Sequence, residues 1–177
     1  MIKLLHNVLP LDFCKQTSND VMYYIFQQPI QYDLERGWCW MLYKPLAIQQ
    51  MLETVKPKVE EVVGEDLLST YSYITVYTNN SYMNRHTDRE SCEISVSINL
   101  ASTINWKLYF ENTKGVITNV GDGVIYEGSV PHWRDLLVSK KPEFYIQTFL
   151  HYVKANGEYA QHENDARPFI PSGTHDD

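Results

Sequence analysis

The stretch Arg85-His-Thr-Asp-Arg-Glu-Ser-Cys-Glu-Ile-Ser-Val-Ser-Ile-Asn-Leu100 carries two signals at once. Its second half sets Ile94, Val96, Ile98 and Leu100 at a period of two, the pattern of a half-buried strand with one apolar face. Its first half sets an imidazole and a carboxylate, His86 and Asp88, two residues apart, so that an extended backbone presents both on one side. Just upstream, Thr78-Asn79-Asn80-Ser81 has turn chemistry, which places His86 at the head of a strand entered from a turn.

Downstream the same character continues. Residues 104–110, 115–120, 123–126, 132–138 and 144–153 read as strands parted by Asn, Gly, Pro, Ser and Lys. Upstream, residues 69–77 are dense in Tyr, Thr, Ile and Val and alternate. With about eight strands in this half of the chain, an antiparallel double sheet or jelly roll is expected.

The N-terminal third differs. Residues 3–8 read as a short strand, and Leu9-Pro10-Leu11-Asp12 as a helix start with Asp12 as its cap. Residues 29–44, rich in Trp, Tyr and Gln, read as a strand or a loop folded over something. Residues 46–63 are the clearest helix, with Ile48, Met51, Leu52, Val55, Val59 and Val62 at spacings of three and four. Pro57 predicts a kink or a break there, and Gly64 a stop. The expected class is α+β, mainly β, with N-terminal helices packed on one sheet. Residues 1–153 form one domain (helical lead-in 1–66, β core 67–153), and 154–177 a polar, surface-draped tail.

Composition narrows the function. The net charge of −7 and 44% hydrophobic content describe an acidic globular chain with a sizeable core. Nothing there favours a phosphate backbone as partner, so nucleic acid is not expected. Cys14, Cys39 and Cys92 are odd in number and far apart, which predicts reduced buried thiols and a cytoplasmic setting. No signal peptide is read at the start, and no apolar run is long enough to span a membrane.

An H-x-D tripeptide alone is a weak signal. The segment from Gly121 to His132, GDGVIYEGSVPH, strengthens it: a tight turn, a short apolar strand and a second turn deliver another imidazole to a strand start. Two His and one carboxylate bind a divalent first-row metal on one side and leave its other side open.

Taken in order, N-terminal helices, a Tyr-rich strand, H-T-D, apolar strands, G-D-G-V-I-Y, P-H-W-R and a long last strand resemble the 2-oxoglutarate- and Fe(II)-dependent dioxygenase superfamily, in particular its prolyl-4-hydroxylase-like branch. The resemblance covers residues 67–153, with a looser echo over residues 8–14. It implies a double-stranded β-helix (jelly roll, cupin-like) with iron held by His86, Asp88 and His132. It further implies 2-oxoglutarate and O₂ as co-substrates, ascorbate as an auxiliary reductant, and hydroxylation of a C–H bond in a peptide, protein or small molecule with release of succinate and CO₂.

The basic residue that pairs with the far carboxylate of 2-oxoglutarate is less plainly placed. Members of the branch carry Lys or Arg nine or ten residues after the distal His, which by count is Lys141, within a Ser-Lys-Lys-Pro turn. Counting back from the last strand gives Tyr145 or Gln147, neither of them basic. Arg134 is the first choice, because it shares a strand face with His132 and a guanidinium matches a carboxylate bidentately; the plain alternative is a salt bridge to Asp135 or a surface acid. Lys107 is a third candidate. Tyr77, nine residues before His86, matches a tyrosine that the branch uses on the co-substrate carboxylate, though a core role fits it nearly as well. Gln147 and His151 are inward polar groups that need partners. Trp38, Trp40 and Trp106 line either a pocket or the core, and Glu90 reads as a surface residue. His6, His162 and His175 are assigned no role.

Two other classes compete: a cupin-like metal protein of non-oxidative chemistry, which would favour an H-x-H motif, and a non-catalytic binding module on the same fold.

Overall fold

The computed structural model describes residues 1–165; residues 166–177, including His175, lie outside the described residues. Helix α1 (Leu11–Ile25) buries Cys14, Thr17, Ser18, Val21 and Ile25 along one stripe. Its cap is Pro10 rather than Asp12, which lies in the first turn, where a carboxylate faces the positive end of the helix dipole. Helix α2 (Leu46–Val63) buries Ile48, Leu52, Val55 and Val59 and is stopped by Gly64, at φ 79°, whose N–H donates to the Glu60 carbonyl. Of the two outcomes expected at Pro57, the break does not occur: the helix runs on through it. Its ring is exposed, so the carbonyl it leaves unbonded faces water.

The described residues form ten strands, in chain order β1 (Ile2–Leu5), β2 (Gln31–Asp33), β3 (Gly37–Tyr43), β4 (Leu67–Thr78), β5 (Met83–His86), β6 (Ile94–Ser102), β7 (Tyr109–Phe110), β8 (Gly123–Glu127), β9 (His132–Arg134) and β10 (Phe144–Lys154). They build a seven-stranded sheet, β1-β8-β6-β10-β4-β3-β2, and a three-stranded one, β5-β9-β7. The strand pairings among the described residues are antiparallel, and the long strands β4, β10 and β6 form the middle of the larger sheet.

The alternation seen in the sequence has a different cause from the one expected. Ile94, Val96, Ile98 and Leu100 pack with Ile48, Leu52, Val55 and Val59 in the core between sheet and helices. The intervening Ser95, Ser97 and Asn99 are also buried. β6 is therefore covered on both faces, and its polar face lines the space between the two sheets. β10 behaves likewise, with Ile146, Leu150 and Tyr152 in the helix-side core and Gln147 and His151 buried on the other face.

Three expected strands shrink. Of 104–110 only β7 survives, of 115–120 only an isolated bridge from Val116 to Leu108, and 132–138 stops at Arg134. After β9 the chain is pinned to the β4–β5 turn instead: the Leu137 N–H donates to the Ser81 carbonyl and the Asn80 N–H to the Leu137 carbonyl, while the Asn79 amide donates to the Ser139 and Lys141 carbonyls. The segment 155–165, within the stretch read as a surface-draped tail, is seated on the β core. Asn164 N–H donates to the Ser69 carbonyl, and buried Asp165 pairs with Arg89 at 3.0 Å.

The Gly121-Asp122 turn ties the lead-in to this frame. The Gly121 carbonyl accepts from Val8 and Leu9, and the Asp122 carboxylate accepts from the Asn7 N–H and the Asn119 amide and pairs with His6. Burial raises the Asp122 carboxyl, but those donors together hold it below its ordinary range. Among the described residues no helix is long and apolar enough to cross a membrane.

Candidate metal centre

His86 ends β5 and His132 begins β9, and the two are register partners across the small sheet. Asp88 follows in the loop, its N–H donating to the Gly128 carbonyl at 2.8 Å. One ligand atom from each of the three lies within 4.8 Å of the others. Asp88 Oδ1 is 3.5 Å from His86 Nε2 and 3.6 Å from His132 Nε2. Each imidazole is aimed by its other nitrogen: His86 Nδ1 meets the Asn84 carbonyl at 2.7 Å, and His132 Nδ1 meets the Val130 carbonyl at 2.9 Å. Those contacts make Nδ1 the donor in each ring and leave Nε2, on the Asp88 side, as the nitrogen that would bind a metal once it carries no proton.

The charges agree with such a site. Burial alone would lower His86, but the Asp88 hydrogen bond and the Asn84 carbonyl outweigh it and raise it. His132 is almost fully buried, and burial keeps it below its ordinary value. Burial pushes Asp88 up, yet the hydrogen bond from His86 and the neighbouring imidazoles leave it lowered, hence a carboxylate at neutral pH.

Further in lies a buried cation. Arg134 is 3% exposed, and its guanidinium sits 4.8 Å from the Trp106 ring centre and 4.6 Å from that of Tyr145. One Nη donates to the Trp106 carbonyl and the other to Gln147 Oε1, while the Gln147 amide donates to Ser97. The Arg134 Nε and the Tyr77 hydroxyl are buried without a hydrogen-bond partner among the described residues. The pair with Asp135 allowed by the sequence does not form; Asp135 instead accepts, through its carbonyl, from the Trp106 indole.

The other residues singled out in the sequence scatter. Lys141 is 78% exposed and pairs with Glu143 on the surface, and Lys107 is exposed. Trp106 belongs to the Arg134 cluster, Trp40 packs against the helix-side core, and Trp38 is exposed with its ring edge-on to Tyr32. Glu90 pairs with His162 at the surface. The three cysteines are free and buried, and burial pushes Cys14 up to about 11 and Cys39 and Cys92 to about 12.

Three residues around the centre were not foreseen. Ser95 donates to Asp88 Oδ2 at 2.9 Å. Gly128 packs against the Cys92 backbone so closely that a Cβ there would stand 2.2 Å from the Cys92 carbonyl oxygen and 2.8 Å from Asp88 Cβ. Arg36, from the β2–β3 turn, pairs with Asp33 and Glu35 and bears electrostatically on Tyr73, Tyr77 and His86. For Ser95 a signal existed: it is the first polar position of the strand that follows H-x-D.

No protein-family model matches the chain, and no curated protein matches it in sequence. Solved structures do match in fold. A Pseudomonas putida prolyl-4-hydroxylase aligns over 85% of this chain and 91% of its own, with a TM-score of 0.60 and 14% identity. The viral collagen prolyl hydroxylase of Paramecium bursaria Chlorella virus-1, solved with 2-oxoglutarate, aligns over 86% and 96%, with 0.61 and 10% identity. The non-haem α-ketoglutarate-dependent epimerase SnoN of nogalamycin biosynthesis aligns over 96% and 85%, with 0.68 and 8% identity. The chain thus has the double-stranded β-helix fold of the Fe(II)/2-oxoglutarate oxygenases, prolyl-4-hydroxylases among them.

Proposed function

We propose that the chain is a non-haem Fe(II)- and 2-oxoglutarate-dependent oxygenase, with residues 1–153 as its catalytic unit, that hydroxylates a C–H bond of a peptide, protein or small-molecule substrate. The observation that carries this reading is Arg134. A desolvated guanidinium whose hydrogen-bond partners among the described residues are a backbone carbonyl and an amide oxygen is costly unless an anion completes it. It stands two positions along β9 from His132, on the same strand face.

The residues fit the absent groups. Two neutral imidazoles and one carboxylate make a donor set suited to Fe(II) with open positions opposite. The partnerless Arg134 Nε and Tyr77 hydroxyl are two buried donors that a carboxylate would satisfy. Iron, 2-oxoglutarate and O₂ bound together supply the oxidising chemistry, releasing succinate and CO₂.

His86, Asp88 and His132 hold the metal, and the Asn84 and Val130 carbonyls keep both imidazoles aimed at it. Arg134 and Tyr77 take the far carboxylate, and the Trp106 and Tyr145 rings fix the plane of the guanidinium. Gln147 acts through Arg134, braced by Ser97. The surrounding aromatic wall keeps water out. Support for peptide and small-molecule substrates alike comes from the fold neighbours, a collagen prolyl hydroxylase and an epimerase of nogalamycin biosynthesis.

Anaerobic titration with Fe(II) and then 2-oxoglutarate tests the proposal. The expected result is a weak visible charge-transfer band that fades on O₂ addition as succinate forms, and that His86→Ala and Asp88→Ala abolish while the fold persists. Iron binding without the band would sink the co-substrate assignment, and no iron binding would sink the centre.

A further inference from the structure

We propose that Ser95 and His151 form a hydrogen-bonded relay that sets the orientation of Asp88, which makes both of them positioning residues of the metal centre. The inference rests on the proposed centre, and its test separates failure of the one from failure of the other.

Asp88 divides its carboxylate. Oδ1 faces both imidazoles, while Oδ2 accepts from Ser95 Oγ at 2.9 Å. Ser95 Oγ also lies 2.9 Å from His151 Nδ1 and 3.3 Å from the Cys92 carbonyl. A hydroxyl has one proton to give, and among these acceptors the charged carboxylate at short range holds it most strongly. With that proton committed to Asp88, the contact with His151 exists only if Nδ1 carries a hydrogen and donates to Ser95. The relay therefore has one direction: His151 Nδ1–H to Ser95 Oγ, and Ser95 Oγ–H to Asp88 Oδ2.

The other end of the imidazole agrees. His151 Nε2 is buried and has no hydrogen-bond partner among the described residues. A lone pair tolerates that position better than an N–H, which would need an acceptor. Burial pushes His151 down to about 4, so the ring is neutral at physiological pH.

The relay joins a rigid element to an irregular one. Ser95 and His151 are register partners on β6 and β10, in the middle of the large sheet. The His151 ring is 1% exposed and packs 4.7 Å from the Tyr71 ring centre and 5.6 Å from that of Tyr73. Asp88 belongs to neither sheet. A phenylalanine would fill the aromatic wall equally well; what the imidazole adds is one donor. That donor holds the Ser95 rotor away from the Cys92 carbonyl and on the carboxylate.

Two measurements test this. In the metal-free wild-type protein, NMR of isotope-labelled histidine should show His151 as the Nδ1–H tautomer; the Nε2–H tautomer would overturn the relay. Anaerobic Co(II) titration, followed by affinity and by the ligand-field spectrum, should show Ser95→Ala and His151→Phe each weakening binding about 10- to 100-fold, as loss of an outer partner of a ligand typically does. The double variant should be no weaker than Ser95→Ala alone, because both act through one chain of bonds. His151→Asn, whose amide can donate from near the Nδ1 position, should recover most of the affinity. Wild-type binding with His151→Phe unchanged, or additive losses in the double variant, would overturn the relay and leave the centre standing. No Co(II) binding by the wild type would overturn both.

Discussion

Arg134 and Lys141 show how a single residue's placement can and cannot be read from spacing. The count of nine from His132 ends on Lys141, but the chain between them is irregular and carries that side chain into solvent beside Glu143. Arg134 lies within β9 itself, so the two-residue period puts it on the face of His132. Arg134→Met, which fits between Trp106 and Tyr145, should raise the 2-oxoglutarate concentration needed for half-maximal turnover by at least about 10-fold, since a charge-assisted bond contributes roughly 1.5–3 kcal/mol. Lys141→Ala should change it less than about two-fold, because an exposed pair contributes little. Steady-state kinetics on both variants decides, and the reverse order would move the anchor to the turn.

The strand β6 and the loop before it show the same limit one level up. Alternation along residues 94–100 marks a strand, yet period two cannot tell a solvated polar face from a polar interior, and here both faces are buried. The loop is set by a glycine that local sequence does not single out. A Cβ at Gly128 would stand 2.2 Å from the Cys92 carbonyl oxygen and 2.8 Å from Asp88 Cβ, so backbone must move. Gly128→Ala should cost about 2–4 kcal/mol of stability and weaken metal binding with it, because the displaced loop carries Asp88. Gly64→Ala supplies the control: φ is +79° but nothing lies within 4 Å, so about 1 kcal/mol of backbone strain and an unaltered centre are expected. Denaturant unfolding paired with Co(II) titration distinguishes the two cases.

At the scale of the whole molecule, the proposed ligand set joins segments that are distant in sequence. His86 and Asp88 enter on and after β5, and His132 enters on β9, so a bound metal would clamp one end of the small sheet. A ligand that binds only the folded state stabilises it by mass action, by about 2.7 kcal/mol at 100 times its dissociation constant. Calorimetry should show the midpoint rising by roughly 5–10 °C with saturating Co(II), at about 2–4 °C per kcal/mol for a domain of this size. Chelator should reverse the rise, and Asp88→Ala should abolish it.

The long helix, the long strands and the placement of His86 and Asp88 after a turn were legible in the sequence because they obey short-range rules. Helical spacing over 46–63, alternation over 69–77 and 94–100, and an H-x-D tripeptide after a turn each follow from backbone period. What period cannot encode is which groups from distant strands meet. The tertiary structure alone brings Gln147 to Arg134, His151 to Ser95 and the Asn79 side chain to the 139–141 turn. It also decides that 104–120 and 135–138 forgo regular ladders, because their backbone groups find partners in turns and neighbouring loops. Local periodicity is a property of a few neighbouring residues, whereas the burial of Arg134 and the tautomer argued for His151 depend on what the rest of the fold packs around them.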